Sequence, residues 1–247
     1  MHEDVALLEG FISVNAALTG KSRQIHSITV RTDKHDGQTR QLEKLARAAN
    51  IPITRSEAQV IDTRVDGKTH GGIIAEVGPR RFIGMDALFS PQPVSFVAMI
   101  DGVEDPFNFG AAVRSLYAAG ADGLIVRPRN WLSAAGTVAR ASAGASELIP
   151  TAIAETAADA ADFFRKHGFA VACATDESGS VSLYNTDLTV PLFLLIGGEK
   201  RGITRSFLDQ ADLKLRIPYG RAQAHSLGTA AATAVLAFEI LRQRQIK

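Results

Sequence analysis

The chain has 247 residues, 46% of them hydrophobic and 21% charged, with a formal net charge of +1. This length holds one large domain or two smaller ones, and the composition excludes a disordered chain. The near-neutral balance gives no support for nucleic-acid binding from bulk charge, although a local basic patch is compatible with it. A single cysteine, Cys173, excludes an internal disulfide and fits a reducing cytoplasm. No signal peptide is expected, and no apolar run approaches the roughly 20 residues that span a bilayer.

Residues 3–20 read as a short helix or two, with Gly10 a break and Gly20 the stop. Ile25–Arg31 alternates and is β-branched, which predicts a strand. Gln38–Asn50 carries Leu42, Leu45, Ala46 and Ala49 at helical spacing, and Ile51–Thr54 is a short strand with Ser56 capping the next helical turn. Gly71-Gly72 leads into a strand at Ile73–Val77. Residues 1–88 are therefore expected to form a small α/β domain. Lys21, Arg23, Arg31, Lys34 and Arg40 are scattered around Asp33 and Asp36 and read by themselves as solvated surface charges; His70 leans towards a turn role.

Residues 89–93 form an expected linker, since two prolines there disfavour regular structure. A second domain, 94–247, then begins with a buried strand at Val94–Ile100, a loop at Asp101–Gly110, a helix at Ala111–Ala119 and a strand at Gly123–Val126. This order predicts a parallel sheet. Arg127–Trp131 carries two arginines and the only tryptophan. A small-residue helix over Ser133–Ala145 and a helix over Ala157–His167 follow. Phe169–Thr175 is a strand, with Cys173 in its core and Thr175-Asp176-Glu177 in the loop beyond. Leu192–Ile196 runs into a Gly197-Gly198-Glu199 turn, and Leu213–Ile217 is stopped by Pro218 and Gly220. An Ala-rich buried helix closes the domain at Thr229–Leu241. The alternation indicates a doubly wound α/β domain, whose ligands bind beyond the carboxyl ends of the strands.

Asn108 and Arg114 lie six apart, one at the end of a loop and the other inside the next helix. Spacing alone leaves Arg114 between phosphate binding and an ion pair with Asp101, Glu104 or Asp105. Glu199 can hold its turn by accepting main-chain N–H bonds. Ser226 is a candidate N-cap for the final helix. Six histidines and one cysteine show no metal-ligand spacing, no G-x-S-x-G elbow is present, and no G-x-G-x-x-G follows a strand.

Three segments in order, DPFNFGAAVRS (Asp105–Ser115), IGGEKRGI (Ile196–Ile203) and IPYGRAQAHSLGTAAA (Ile217–Ala232), resemble the motifs of SpoU/TrmH-type RNA 2′-O-ribose methyltransferases of the SPOUT class. GKTHGGIIAEV (Gly67–Val77) is similar to the end of the L30e-like RNA-binding domain that precedes many of them. The resemblance implies a deep trefoil knot binding S-adenosylmethionine, with rRNA favoured over tRNA as substrate, and a homodimer, and it offers RNA contact as the other reading of Lys21, Arg23, Arg31, Lys34 and Arg40. Motif position implies Arg114, Asn108, Ser226 and Glu199 as catalytic or organising residues. It also implies cofactor contacts from Gly197, Ile217 and Leu227, flanked by Leu195, Thr175 and Pro218. Removing the proton from an arginine side chain costs about 7.5 kcal/mol at pH 7, so a charged Arg114 that binds phosphate and stabilises the alkoxide is the preferred role. One position departs from the family pattern: Ser226-Leu227-Gly228 replaces the usual Ser-Leu-Asn. That leaves a non-catalytic RNA-binding relative as the alternative.

Overall fold

The computed structural model describes residues 5–65, 69–89, 94–129, 133–198, 202–221 and 226–245. In chain order the elements are β1 (Ala6–Glu9), α1 (Gly10–Gly20), β2 (Arg23–Arg31), α2 (Gly37–Ala48), β3 (Ile53–Ser56), α3 (Ala58–Asp62), β4 (Ile73–Arg80), β5 (Phe96–Asp101), α4 (Pro106–Ala118) and β6 (Gly123–Val126). They continue with α5 (Ala135–Ala141), α6 (Ala145–Leu148), β7 (Thr151–Ile153), α7 (Ala157–Lys166), β8 (Ala170–Ala174), β9 (Val181–Ser182), β10 (Leu192–Gly197), α8 (Arg205–Gln210), β11 (Leu213–Arg216) and α9 (Thr229–Gln245). The chain divides into two compact units, Met1–Arg81 with Asn130–Leu148, and Phe82–Arg129 with Ile149–Lys247.

The first unit has a sheet in the order β1-β4-β2-β3, with β4 antiparallel to both neighbours and β2 parallel to β3. Its core joins Leu8, Val14, Ile28, Leu42 and Ile73 to Ala135 and Ala139 of α5. A Cβ on Gly136 would lie 2.6 Å from the Leu7 carbonyl oxygen, so close helix–strand packing requires glycine there. The helix expected over Ser133–Ala145 is split into α5 and α6, because Ala143 and Gly144 both take positive φ. Glu147 of α6 is 2% exposed and is held by Arg23 at 3.0 Å, Arg80 at 3.6 Å and the Ser22 hydroxyl.

His70 is buried. Its Nδ1 accepts the Gly72 N–H at 3.1 Å and its Nε2 meets Asp62 at 2.9 Å, which pins the turn before β4. Arg23 is spent on Glu147, while Arg31 and Lys34 pair with Asp33 and Asp36. Two local expectations are corrected. Residues 6–9, read as helix, form β1 because they pair with β4. Ser56 ends β3, and Glu57 occupies the N-cap of α3 without a side-chain bond.

The second unit is a seven-stranded, all-parallel sheet in the order β7-β6-β5-β10-β8-β11-β9. Along each strand alternate residues face opposite sides. Val97, Met99, Phe193, Leu195, Val171 and Cys173 pack with Phe164 of α7 and Phe207 and Leu208 of α8. Phe164 stacks on Phe193, with ring centroids 4.9 Å apart. The opposite set, including Phe96, Ala98, Leu194 and Ile196, is also buried, and α9 packs on β10 and α4. Burial on both faces explains why these strands read as continuous apolar runs.

Candidate active site

The site is built at the carboxyl ends of β5, β8, β10 and β11. After β5, Asp105 caps α4: its carboxylate accepts the N–H groups of Phe107 at 2.7 Å and Asn108 at 2.9 Å, and Pro106 occupies the first helical turn. The Asp-Pro-Phe-Asn segment thus fixes where Asn108 and Arg114 start. Six residues of helix turn through about 600°, so the two side chains leave α4 in different directions. Asn108 is half-buried and Arg114 is exposed.

None of the acidic candidates holds Arg114. Asp101 pairs with Arg127 at 3.7 Å and Asp105 caps the helix. Glu104 offsets the effect of burial on Arg129, whose guanidinium is pushed below its ordinary value and lies 5.9 Å from the Phe109 ring centroid. Among the described residues Arg114 has no hydrogen-bond or ion-pair partner.

After β10, Gly202 donates its N–H to the Gly198 carbonyl at 2.9 Å and takes a positive φ of 60°. A Cβ on Gly197 would meet the carbonyl carbon of Gly202 at 2.8 Å, so the turn closes tightly on itself. After β11, the Tyr219 hydroxyl accepts the Leu227 N–H at 3.0 Å. The Gly228 carbonyl accepts the Ala232 N–H at 3.0 Å. Gly228 is therefore at the N-cap of α9, and the expectation that Ser226 caps this helix is corrected: Ser226 is exposed two residues earlier. Thr229, the first residue of α9, directs its hydroxyl to the Gly197 carbonyl at 3.4 Å and joins the two loops.

These loops enclose a cleft of ≈570 Å³. It brings together five of the residues singled out in the sequence: Thr175, Gly197, Ile217, Ser226 and Leu227. Leu195 is 2% exposed and lines a separate cleft of ≈320 Å³ with Asp101, Arg127 and Thr156. Pro218 is exposed and lines neither cleft, and Asn108 and Arg114 also lie outside both. Glu199, Trp131 and His225 fall outside the described residues.

Residues 95–238 match the SpoU rRNA methylase family. The chain belongs to this family. Residues 7–83 match the RNA 2′-O ribose methyltransferase substrate-binding domain. Similar relatives include the 23S rRNA (guanosine-2′-O-)-methyltransferase RlmB of Pseudomonas aeruginosa, 30% identical over 95% of each chain. A putative TrmH family tRNA/rRNA methyltransferase, YacO of Bacillus subtilis, is 30% identical over 90% of each chain. Among solved structures, an AdoMet-bound rRNA methyltransferase from Sinorhizobium meliloti aligns with a TM-score of 0.79 and 26% identity, covering 97% of this chain and 87% of that one. This SpoU-family member is an S-adenosylmethionine-dependent RNA 2′-O-ribose methyltransferase.

The ≈570 Å³ cleft fits that cofactor. Its volume lies within the range of pockets for ligands of this size. Ile196, Ile203, Leu215, Ile217 and Leu227 offer apolar surface for a purine, and the Gly197-Gly198 turn offers backbone groups. Asp176 and Glu177 also line the cleft, and Glu177 pairs with Arg205 at 2.9 Å. Tyr219 and Thr229 were not anticipated from sequence. For Tyr219 the available signal was an aromatic residue between Pro218 and Gly220, in a loop otherwise built of small and polar residues.

Proposed function

We propose that this methyltransferase modifies a ribose in structured rRNA rather than tRNA, in the cytoplasm and as a homodimer. Support for an rRNA substrate comes from the pairing of a substrate-binding match at 7–83 with a methylase match at 95–238, and from the length shared with relatives named for 23S rRNA. Exposed aromatic residues on α4 and α9, namely Phe107, Tyr117 and Phe238, support an interface between copies. The path from the central strand β10 out to β11, and back to pack α9 on α4, supports the trefoil knot.

Bound in the cleft, S-adenosylmethionine supplies an electrophilic methyl group. Gly197, Ile217 and Leu227 hold it, with Thr175 on the same wall and Leu195 and Pro218 flanking. Arg114 binds the phosphate next to the target ribose and lowers the cost of the developing alkoxide as a fixed positive charge. Asn108 and Ser226 orient the ribose by hydrogen bonds, so that the 2′-oxygen approaches in line. An organising role for Glu199 is inferred from its motif alone, since it lies outside the described residues. The single observation that carries the assignment of Arg114 is its exposed guanidinium, without a protein partner among the described residues, on a helix whose acidic neighbours are all engaged elsewhere.

The test is methylation of total RNA from a strain lacking this protein, with nuclease mapping of the labelled band. Label in rRNA at one ribose is expected. Label confined to tRNA would overturn the substrate assignment, and Arg114→Ala with undiminished transfer would overturn its role.

A further inference from the structure

The segment Ser226-Leu227-Gly228 on the cleft wall offers one polar side chain, Ser226, and Gly228 offers none. The fold brings a second polar group to the same place from eight residues upstream. Tyr219 lines the cleft, is 39% exposed, and places its hydroxyl 3.0 Å from the Leu227 backbone nitrogen. The direction of this bond is fixed, because a backbone N–H can only donate and so the phenol oxygen accepts. Among the described residues nothing accepts the phenolic proton. A hydroxyl that accepts one hydrogen bond becomes a better donor through the other. It also ties Leu227 to the end of β11 and so holds the shape of the wall.

We infer that Tyr219 is a ligand-positioning residue, whose hydroxyl supplies to this wall the side-chain hydrogen bond that Gly228 lacks and donates its proton to an oxygen or nitrogen acceptor of the bound cofactor. The inference rests on the ≈570 Å³ cleft being the cofactor site.

The test measures the affinity of S-adenosylhomocysteine for the full chain by calorimetry, in wild type, Tyr219→Phe, Gly228→Asn and the double variant. Phe keeps the ring and removes only the hydroxyl. Tyr219→Phe is expected to weaken binding about three- to tenfold, with an unchanged melting temperature of the ligand-free protein. In the Gly228→Asn background the same change is expected to cost less than twofold, because the asparagine amide takes over the contact; this non-additivity is what a purely structural tyrosine would not produce. Equal affinities for wild type and Tyr219→Phe overturn the inference, as does tighter binding by Tyr219→Phe, which would make the phenol a plug over the Leu227 N–H. Wild type that binds no S-adenosylhomocysteine overturns the cofactor site itself, a separate failure.

Discussion

Gly198 sits against the backbone of Gly102 so closely that a Cβ on Gly198 would overlap the Gly102 carbonyl group. The loops after β5 and β10 therefore touch through backbone, and this contact sets the Ile196–Ile203 segment against the loop that leads into Asp105–Ser115. Gly198→Ala has to push these loops apart. It is expected to abolish S-adenosylhomocysteine binding and lower the melting temperature. Gly37→Ala, where an added Cβ meets nothing within 4 Å, is expected to leave both unchanged. Calorimetry on the two variants checks this.

Arg114→Ala is expected to lower methyl transfer by about 10²–10³-fold, the usual cost of losing a group that stabilises developing charge. Cofactor affinity and melting temperature are expected to hold, because the side chain lines neither cleft and has no protein partner among the described residues. Arg114→Lys keeps the charge without the fork and should recover only part of the rate. Single-turnover kinetics beside a binding isotherm separate the two effects.

Much of the second unit was legible because its strands are buried on both faces. Leu192–Ile196 and Gly123–Val126 read as strands directly, and the Asp105-Pro106 cap is a local signal. β1 was missed because four residues beside a helix carry no periodicity of their own and become a strand by pairing with β4. The place of α5 and α6 was also hidden. Their small residues show a helix but not its partner, and the contact of Gly136 with Leu7 is between residues far apart in sequence. At the site, glycines and apolar residues at strand ends marked the cleft walls. Tyr219 was hidden because its role is a hydrogen bond across eight residues of loop.

Glu147 is the carboxylate shared by two buried arginines, Arg23 and Arg80, and burial already lowers the Arg80 guanidinium below its ordinary value. Glu147→Gln strands both cations and is expected to cost about 3–5 kcal/mol, as removal of one partner from a buried ion pair does. Urea unfolding with an unchanged slope checks it.

Arg244 on α9 donates to the carbonyl oxygens of Val94 at 3.0 Å, Val190 at 2.9 Å and Leu188 at 3.2 Å, and lies 5.6 Å from the Phe96 ring centroid. It closes the final helix over the starts of β5 and β10. Arg244→Ala is expected to cost about 2–4 kcal/mol through unsatisfied acceptors, and Arg244→Lys to recover less than half. Thermal and urea unfolding measure both.

Burial pushes the Cys173 thiol from 9.0 up to about 11. Folded protein should resist iodoacetamide at pH 8.5, and urea-unfolded protein should react. Between those two values the unfolded chain releases a proton that the folded chain keeps, so this group's contribution to stability falls as pH rises through the window. Mass spectrometry before and after unfolding, across that range, checks both statements.

The most direct test of the central claim is transfer of a labelled methyl group from S-adenosylmethionine to RNA lacking this modification, read at nucleotide resolution with wild type and Arg114→Ala side by side. One labelled ribose 2′-oxygen in rRNA with wild type, and labelling slowed about 10²–10³-fold with Arg114→Ala despite retained cofactor binding, is the predicted result. Folded wild type that binds S-adenosylmethionine and labels no RNA would contradict the assignment as an enzyme.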